Sequence, residues 1–166
     1  MDISTTANLI NALAVTAGVI FAATQIRDYR AQRRRDSMTA LVRSFQNAAF
    51  AQALRRVSAL PDDATPGQIE EKLGRDGEDH IWLLLSTWEA LAILLFRKEL
   101  TIELIDDFFS GPIAVSWRKL SRYVEVKRAE AQRQTYFEWG QWLAERMMKR
   151  ESKIPPVPAY IAHRTW

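Results

Sequence analysis

The ionisable side chains of this 166-residue chain are spaced so that few of them could act together in catalysis. Glu89 stands out because it lies within the most apolar stretch of the sequence, IWLLLSTWEALAILLF, residues 81–96. Burial there would raise the pKa of its carboxyl unless a cation such as Arg118 or Arg122 paired with it. Such a group can act as a proton donor, but it serves more often as a structural hydrogen-bond anchor.

A second pair that could carry chemistry is Arg75 and His80, in the sequence RDGEDH. The spacing, with a polar residue after the arginine, resembles the Arg-x4-His motif of the HEPN class of helical ribonucleases. That resemblance implies that the two side chains would hold and protonate an RNA phosphate. The motif is short and the chain is rich in arginine, so charged residues at the start of a helix explain it better. A membrane-tethered ribonuclease that uses this pair is one alternative function.

Metal and thiol chemistry have no support in the composition. The chain has no cysteine, which excludes disulfides, thiolate ligands and cysteine nucleophiles. The two histidines, His80 and His163, are not spaced with carboxylates as metal ligands would be. Asp106 and Asp107 are neighbours and would point in different directions from a helix, as in a solvated acid pair. We therefore assign no catalytic, cofactor-binding or metal-binding residue, and we expect no cofactor, no small-molecule substrate and no enzyme activity.

Positive charge is concentrated in one short segment of the chain. Residues 27–35, RDYRAQRRR, contain five arginines and one aspartate, whereas Asp2 is the only charged residue in residues 1–26. Residues 36–166 carry 18 basic and 18 acidic side chains and are neutral overall. A neutral domain lacks the footprint that binds a phosphate backbone, so we expect no nucleic-acid partner.

Residues 3–26 contain no charged side chain. A helix over this stretch would be about 36 Å long, which exceeds a hydrocarbon core of about 30 Å. The basic residues that follow directly are Arg27, Arg30, Arg33, Arg34 and Arg35. Because cytoplasmic flanks are rich in arginine and lysine, we predict a transmembrane anchor over residues 1–26 with the N-terminus outside, and a basic juxtamembrane segment that contacts lipid. This topology predicts a bacterial inner-membrane protein; the alternative is a soluble helical protein whose first helix is buried.

One face of the predicted span carries small residues and an amide. Asn11, Ala14, Gly18 and Ala22 follow one another at spacings of three, four and four residues, which places them on a single stripe. Small residues allow two helix backbones to approach closely, and an asparagine can donate across the contact. The stripe therefore predicts packing on another span, in a homo-oligomer or a larger membrane complex.

The rest of the pattern predicts an all-α fold, with a cytoplasmic bundle of about four to five helices over residues 36–150. The predicted helices run from Met38 to Val57, from Pro66, over residues 81–96, over residues 101–109, and from Ile113 to about Lys149 with a possible break near Gly140. Residues 151–166 are rich in proline and are predicted to be an extended tail.

Aromatic side chains are concentrated near the C-terminus and in the tail. The residues concerned are Tyr136, Phe137, Trp139, Trp142, Tyr160 and Trp166. The first four cover more than one helix face, and tryptophan and tyrosine are typical of protein contacts. We interpret them as possible contact residues of a non-catalytic, membrane-anchored interaction module, either an accessory subunit of a membrane protein complex or a self-assembling homo-oligomer.

Four parts of the sequence together resemble a known family. They are the N-terminal span with its arginines, TWEALAILLFRKEL (87–100), IDDFFSGPIAVSWRKL (105–120) and TYFEWGQWLAERM (135–147). These segments resemble uncharacterised bacterial proteins that are grouped as a domain of unknown function, and the likeness extends to about residue 150. The resemblance implies one span and a helical cytoplasmic domain, and it implies neither an activity nor site residues.

Overall fold

A computed structural model describes residues 2, 12–29, 32, 45, 47–153, 155 and 157–165. These residues form helices and turns and contain no strand, which confirms the predicted all-α class. The chain divides into two compact units, Met1–Ser44 and Phe45–Trp166.

Helix α1, residues 12–29, is the described helix of the first unit. Its large apolar side chains are 54–67% exposed: Leu13, Val15, Val19, Ile20, Phe21 and Ile26. The hydroxyls of Thr16 and Thr24 donate to the carbonyls of Ala12 and Phe21, each at 2.8 Å. The backbone of the helix therefore supplies hydrogen-bond acceptors for these two hydroxyls, and its apolar side chains remain exposed.

The second unit begins with helix α2, Ala48–Ser58. Asn47 caps this helix, because its backbone is extended and its side chain accepts from the N–H of Ala49 at 2.8 Å. The prediction of one helix from Met38 to Val57 was wrong at this point, since the cap starts a new helix at Ala48. Residues 38–44 lie outside the described residues.

The remaining helices are α3 (Pro66–Leu73), α4 (Gly77–Phe96), α5 (Ile102–Ala131), α6 (Glu138–Lys153) and α7 (Ala159–Ala162). The prediction of a short helix from Pro66 is confirmed. Thr65 and Gln68 form a capping box at its start, and Ile69 is buried. The prediction of an extended tail was incomplete, because one helical turn, α7, forms after Pro158.

Helix α4 is the centre of the bundle and packs against α2, α3, α5 and α6. Its buried residues are Gly77, Ile81, Leu84, Leu85, Trp88, Leu91 and Ala92. Among the described helices, α4 alone is long and apolar enough to cross a membrane, judged by length and composition, with a mean hydropathy of 1.4. Its packing on four neighbours confirms the predicted central helix over residues 81–96.

Helix α5 is continuous over 30 residues, so the predicted break before Ile113 was wrong. Pro112 lies inside the helix and removes one backbone donor. The buried face nevertheless continues through it without a change of phase, at Ile105, Phe109, Ile113, Leu120 and Val124. Burial on both sides of the proline offsets the missing hydrogen bond.

The break between α5 and α6 lies earlier than predicted. Helix α5 ends at Ala131, and its C-cap, Gln132, adopts a left-handed backbone with φ of 50°. Helix α6 begins at Glu138, so Gly140, the predicted break point, lies in its first turn. Gly140 therefore does not interrupt the helix, and its backbone N–H makes a tertiary contact with Glu89.

Candidate functional site

Aromatic rings lie along the contact between α4 and α6, and we call this row the aromatic seam. Its members are Trp82, Phe96, Tyr136, Phe137, Trp139 and Trp142. At one end, Trp82 lies 5.5 Å from Tyr136 and 5.1 Å from Phe137, measured between ring centroids. At the other end, Phe96 lies 4.9 Å from Trp139 and 6.3 Å from Trp142.

Part of the aromatic seam faces solvent. Trp82 is 45% exposed and Phe96 is 61% exposed, whereas Phe137 is buried. The sequence pattern did not single out Trp82 and Phe96, because almost every position between them is apolar. Their separation of 14 residues, close to four helical turns, was the signal that could have placed them on one face.

Glu89 connects the middle of α4 to the start of α6. Its Oε1 accepts a hydrogen bond from the N–H of Gly140 at 3.0 Å, and the N–H of Trp139 also donates to the carboxylate. Burial raises the pKa of Glu89, and the two backbone donors oppose that rise. Neither Arg118 nor Arg122, the cations that the sequence suggested as examples of a partner, is among the groups that act on Glu89. Backbone N–H groups at a helix start supply most of the compensation, and the charge of Arg128 adds a smaller part.

The contact between Gly140 and Glu89 does not require a glycine. A Cβ at this position would lie 3.7 Å from Glu89 Oε1 and 3.9 Å from the carbonyl oxygen of Leu85. Both are ordinary contact distances, so α4 and α6 are as close as an alanine would permit. The carboxylate thus takes the role of an N-cap contributed by another helix.

Four exposed cations lie close in sequence to the rings of the Phe96 end of the aromatic seam, and we call them the basic rim: Arg97, Lys98, Arg146 and Lys149. The guanidinium of Arg146 lies 4.1 Å from the ring centroid of Trp142, a cation–π contact. Trp139, Trp142, Arg146 and Lys149 follow at spacings of three, four and three, so they share one face of α6. The sequence analysis assigned no role to this rim.

The structure gives Arg75 and His80 different surroundings. Arg75 lines a surface cleft of about 380 Å³, and His80 is not among the residues of that cleft. The Nδ1 atom of His80 lies 2.8 Å from the carbonyl oxygen of Asp76, one turn earlier in the chain. The imidazole is therefore engaged with its own helix start.

The same cleft contains an ionic group that the sequence analysis missed. The Oε1 atom of Glu78 accepts from Lys127 at 3.1 Å and from the hydroxyl of Tyr123 at 3.4 Å. Burial raises the pKa of Tyr123, and the hydrogen bond to Glu78 raises the pKa of Lys127. These groups satisfy one another, so the cleft holds a structural link between α4 and α5.

A larger groove of about 510 Å³ lies between α5, α6 and the tail. Asp106 and Asp107 line it, and Asp106 accepts from the Nε of Arg150 at 2.6 Å. The two aspartates therefore differ, because one is tied to α6. Among the described residues, no group of histidines and carboxylates is placed to hold a metal ion.

Several predicted contact residues lie in α1, the basic segment and the tail. Ala14, Gly18, Ala22 and Arg27 are exposed, and nothing lies within 4 Å of the position of a Cβ on Gly18. Tyr160 is exposed in α7. The other predicted residues lie outside the described residues: Asn11, Arg30, Arg33, Arg34, Arg35 and Trp166.

Comparison with known proteins gives a family for this architecture. Residues 12–147 match a domain of unknown function, DUF4760. No curated protein and no solved structure matches the chain. Since the matched region runs from α1 to Met147 in α6 and covers most of the 166 residues, the chain belongs to the DUF4760 family.

Proposed function

We propose that this protein is a single-span membrane protein that acts through contacts with other proteins, as an accessory subunit or a homo-oligomer. Residues 3–26 form the span, and the helical unit lies on the cytoplasmic side of a bacterial inner membrane. The observation that carries the proposal is the exposed apolar surface of α1, where six large apolar side chains around the helix are 54–67% exposed. A helix of this kind suits lipid better than water.

The polar side chains of α1 support the same proposal. In a hydrocarbon core, a hydroxyl without a partner is costly. Thr16 and Thr24 avoid that cost by donating to carbonyls of the same helix. The first charged residue after the apolar run, Arg27, begins the basic segment. This arrangement favours a span over the alternative of a buried first helix in a soluble protein.

The open stripe of Ala14, Gly18 and Ala22 is the proposed contact with a neighbouring span. The space around Gly18 leaves room for a second backbone, which is the geometry that small residues serve in membrane helices. Outside the membrane, the Trp82 end of the aromatic seam is the proposed protein contact, because Trp82 and Leu83 are exposed beside Tyr136. The tail residues Tyr160 and Trp166 are further proposed contact residues.

The stripe can be tested with a pair of matched small-to-large substitutions. Gly18→Leu fills the proposed contact, whereas Ala23→Leu adds a similar bulk on the far side of the same helix. Native mass spectrometry of the full chain in mild detergent should show a homo-oligomer or a stoichiometric complex for the natural chain. We expect Gly18→Leu to weaken association by about tenfold, and Ala23→Leu to leave it unchanged. A natural chain that stays monomeric and binds nothing contradicts the proposal.

The membrane-tethered ribonuclease is the rival from another class. Arg75→Ala and His80→Ala, assayed for RNA cleavage, decide it directly. We expect neither the natural chain nor either variant to cleave RNA, because His80 is engaged with Asp76 and does not line the cleft that Arg75 borders. Cleavage by the natural chain that both substitutions abolish would establish the rival.

A further inference from the structure

The two ends of the aromatic seam differ in charge. At the Trp82 end the rings are Trp82, Tyr136 and Phe137. At the Phe96 end, the rings of Phe96, Trp139 and Trp142 are bordered by the four cations of the basic rim. The exposed carboxylates nearby in sequence are Glu99, Glu103, Glu145 and Glu151. Glu145 accepts from the side-chain amide of Gln141 at 2.7 Å, Glu103 acts electrostatically on Arg150, and Glu151 lines the groove between α5, α6 and the tail, which leaves Glu99 beside the rim. The Phe96 end is therefore a positive surface on a unit that is neutral overall.

The cations of this rim are not used inside the bundle. The ion pairs between described residues include none with Arg97, Lys98 or Lys149. Arg146 lies over the ring of Trp142 and forms no such pair either. Four exposed positive side chains beside partly exposed rings are therefore available to bind a group that is anionic and partly apolar.

The composition of this surface fits a lipid headgroup region better than a protein. Lysine is depleted in protein contacts, whereas aromatic rings beside lysine and arginine are typical of the membrane interface.

We propose that the Phe96 end of the aromatic seam, with the basic rim, is a lipid-docking surface that binds anionic headgroups of the membrane in which the chain is anchored. The inference rests on the proposed anchor, which keeps the surface near lipid at all times. Tethering makes even weak adsorption effective, because the second contact is then intramolecular. The rings enter the interface and the cations pair with lipid phosphates.

The test uses the full chain reconstituted in lipid nanodiscs. The natural chain has no cysteine, so one introduced thiol can carry a fluorescent label without competing sites. Glu99→Cys places the label beside the basic rim, and Gly67→Cys places a control label in α3, where a Cβ has open space. Quenching of each label by doxyl-labelled lipid is compared in discs of phosphatidylcholine alone and of phosphatidylcholine with phosphatidylglycerol.

We expect quenching at position 99 to exceed that at position 67 by about threefold in the anionic discs, and to fall in the neutral discs. The combined change Arg97→Gln, Lys98→Gln and Lys149→Gln should abolish the excess. A matched control removes three exposed cations elsewhere, with Arg55→Gln, Lys72→Gln and Arg118→Gln, and should leave it intact.

Three results would overturn the proposal. One is equal quenching at positions 99 and 67 in anionic discs, and another is quenching that survives loss of the three rim cations. The third comes from discs that hold two copies of the chain, to which a water-soluble quencher is added. If the label at position 99 were protected from that quencher and also not quenched by the doxyl lipid, the surface would be a contact between copies. Failure of the anchor itself is seen separately, because such a chain does not enter the discs.

Discussion

At the residue scale, Glu89 shows how a carboxylate in an apolar helix can be accommodated without a direct ion pair among the described residues. Two backbone N–H groups at the start of α6, from Trp139 and Gly140, have no partner within their own helix and donate to the Glu89 carboxylate. The positive end of the helix dipole favours the ionised form, and burial opposes it. The outcome is a raised pKa, so the carboxylate contributes an acceptor and also a desolvation cost.

Substitution of Glu89 should separate these two contributions. Glu89→Ala removes the acceptor from the start of α6, and we expect a loss of about 1 kcal/mol in the free energy of unfolding. Glu89→Gln keeps an acceptor and removes the buried charge, so at neutral pH it should be no less stable than the natural chain. Urea unfolding of the full chain in detergent, followed by tryptophan fluorescence, measures both; equal losses for the two variants would contradict the capping role.

The pH dependence of the same pair has a definite sign. A raised pKa means that the folded chain binds the Glu89 proton more tightly than the unfolded chain, whose carboxyl keeps the ordinary value of 4.5. The stability contributed by this group therefore falls as the pH rises from 4.5 through the raised value. We expect the stability of Glu89→Gln relative to the natural chain to be greatest at neutral pH and to decrease as the pH approaches 4.5. A difference that does not change with pH would refute the shift.

At the element scale, the sequence predicted helices where local signals and burial agreed. The capping pair Thr65 and Gln68 indicates the start of α3, and the apolar run of residues 81–96 indicates α4. Prediction from the sequence failed where tertiary packing overrode a local signal. Pro112 is the example, because it lies inside α5 although proline is typical of the first position of a helix. Prediction from the sequence also could not find the partner of Glu89, because Gly140 is 51 residues away and nothing local marks the contact.

The continuity of α5 leads to a prediction about Pro112. Pro112→Ala restores a backbone donor inside a helix that is already packed on both sides of this residue. Allowing for the more flexible unfolded chain, we expect the free energy of unfolding to rise by about 2 kcal/mol. Gly111→Ala is the companion change, since a Cβ there has open space, and it should add about 1 kcal/mol from helix propensity alone. Destabilisation by Pro112→Ala in urea unfolding would mean that the ring itself is part of the packing.

At the scale of the whole molecule, charge is divided in a way that fits one membrane topology. Asp2 is the only charged residue before the apolar run, and the arginine-rich segment 27–35 follows the run directly. The rest of the chain has balanced charge and adds no bias of its own. Because arginine near a span favours the cytoplasmic side, the proposed orientation places the N-terminus outside and the helical unit inside.

This orientation can be read with single cysteines in a chain that has none of its own. In spheroplasts of a bacterial expression host, a membrane-impermeant maleimide should label Ser4→Cys and should label Gly67→Cys only after lysis. Replacement of the five arginines at positions 27–35 by glutamine removes the bias, so a fraction of Gly67→Cys should become accessible from outside. Labelling of Gly67→Cys in intact spheroplasts of the otherwise natural chain would reverse the proposed topology. If the chain were instead found with the soluble proteins, the exposed apolar face of α1 would need a protein partner to cover it, and the lipid-docking surface would lose its tether.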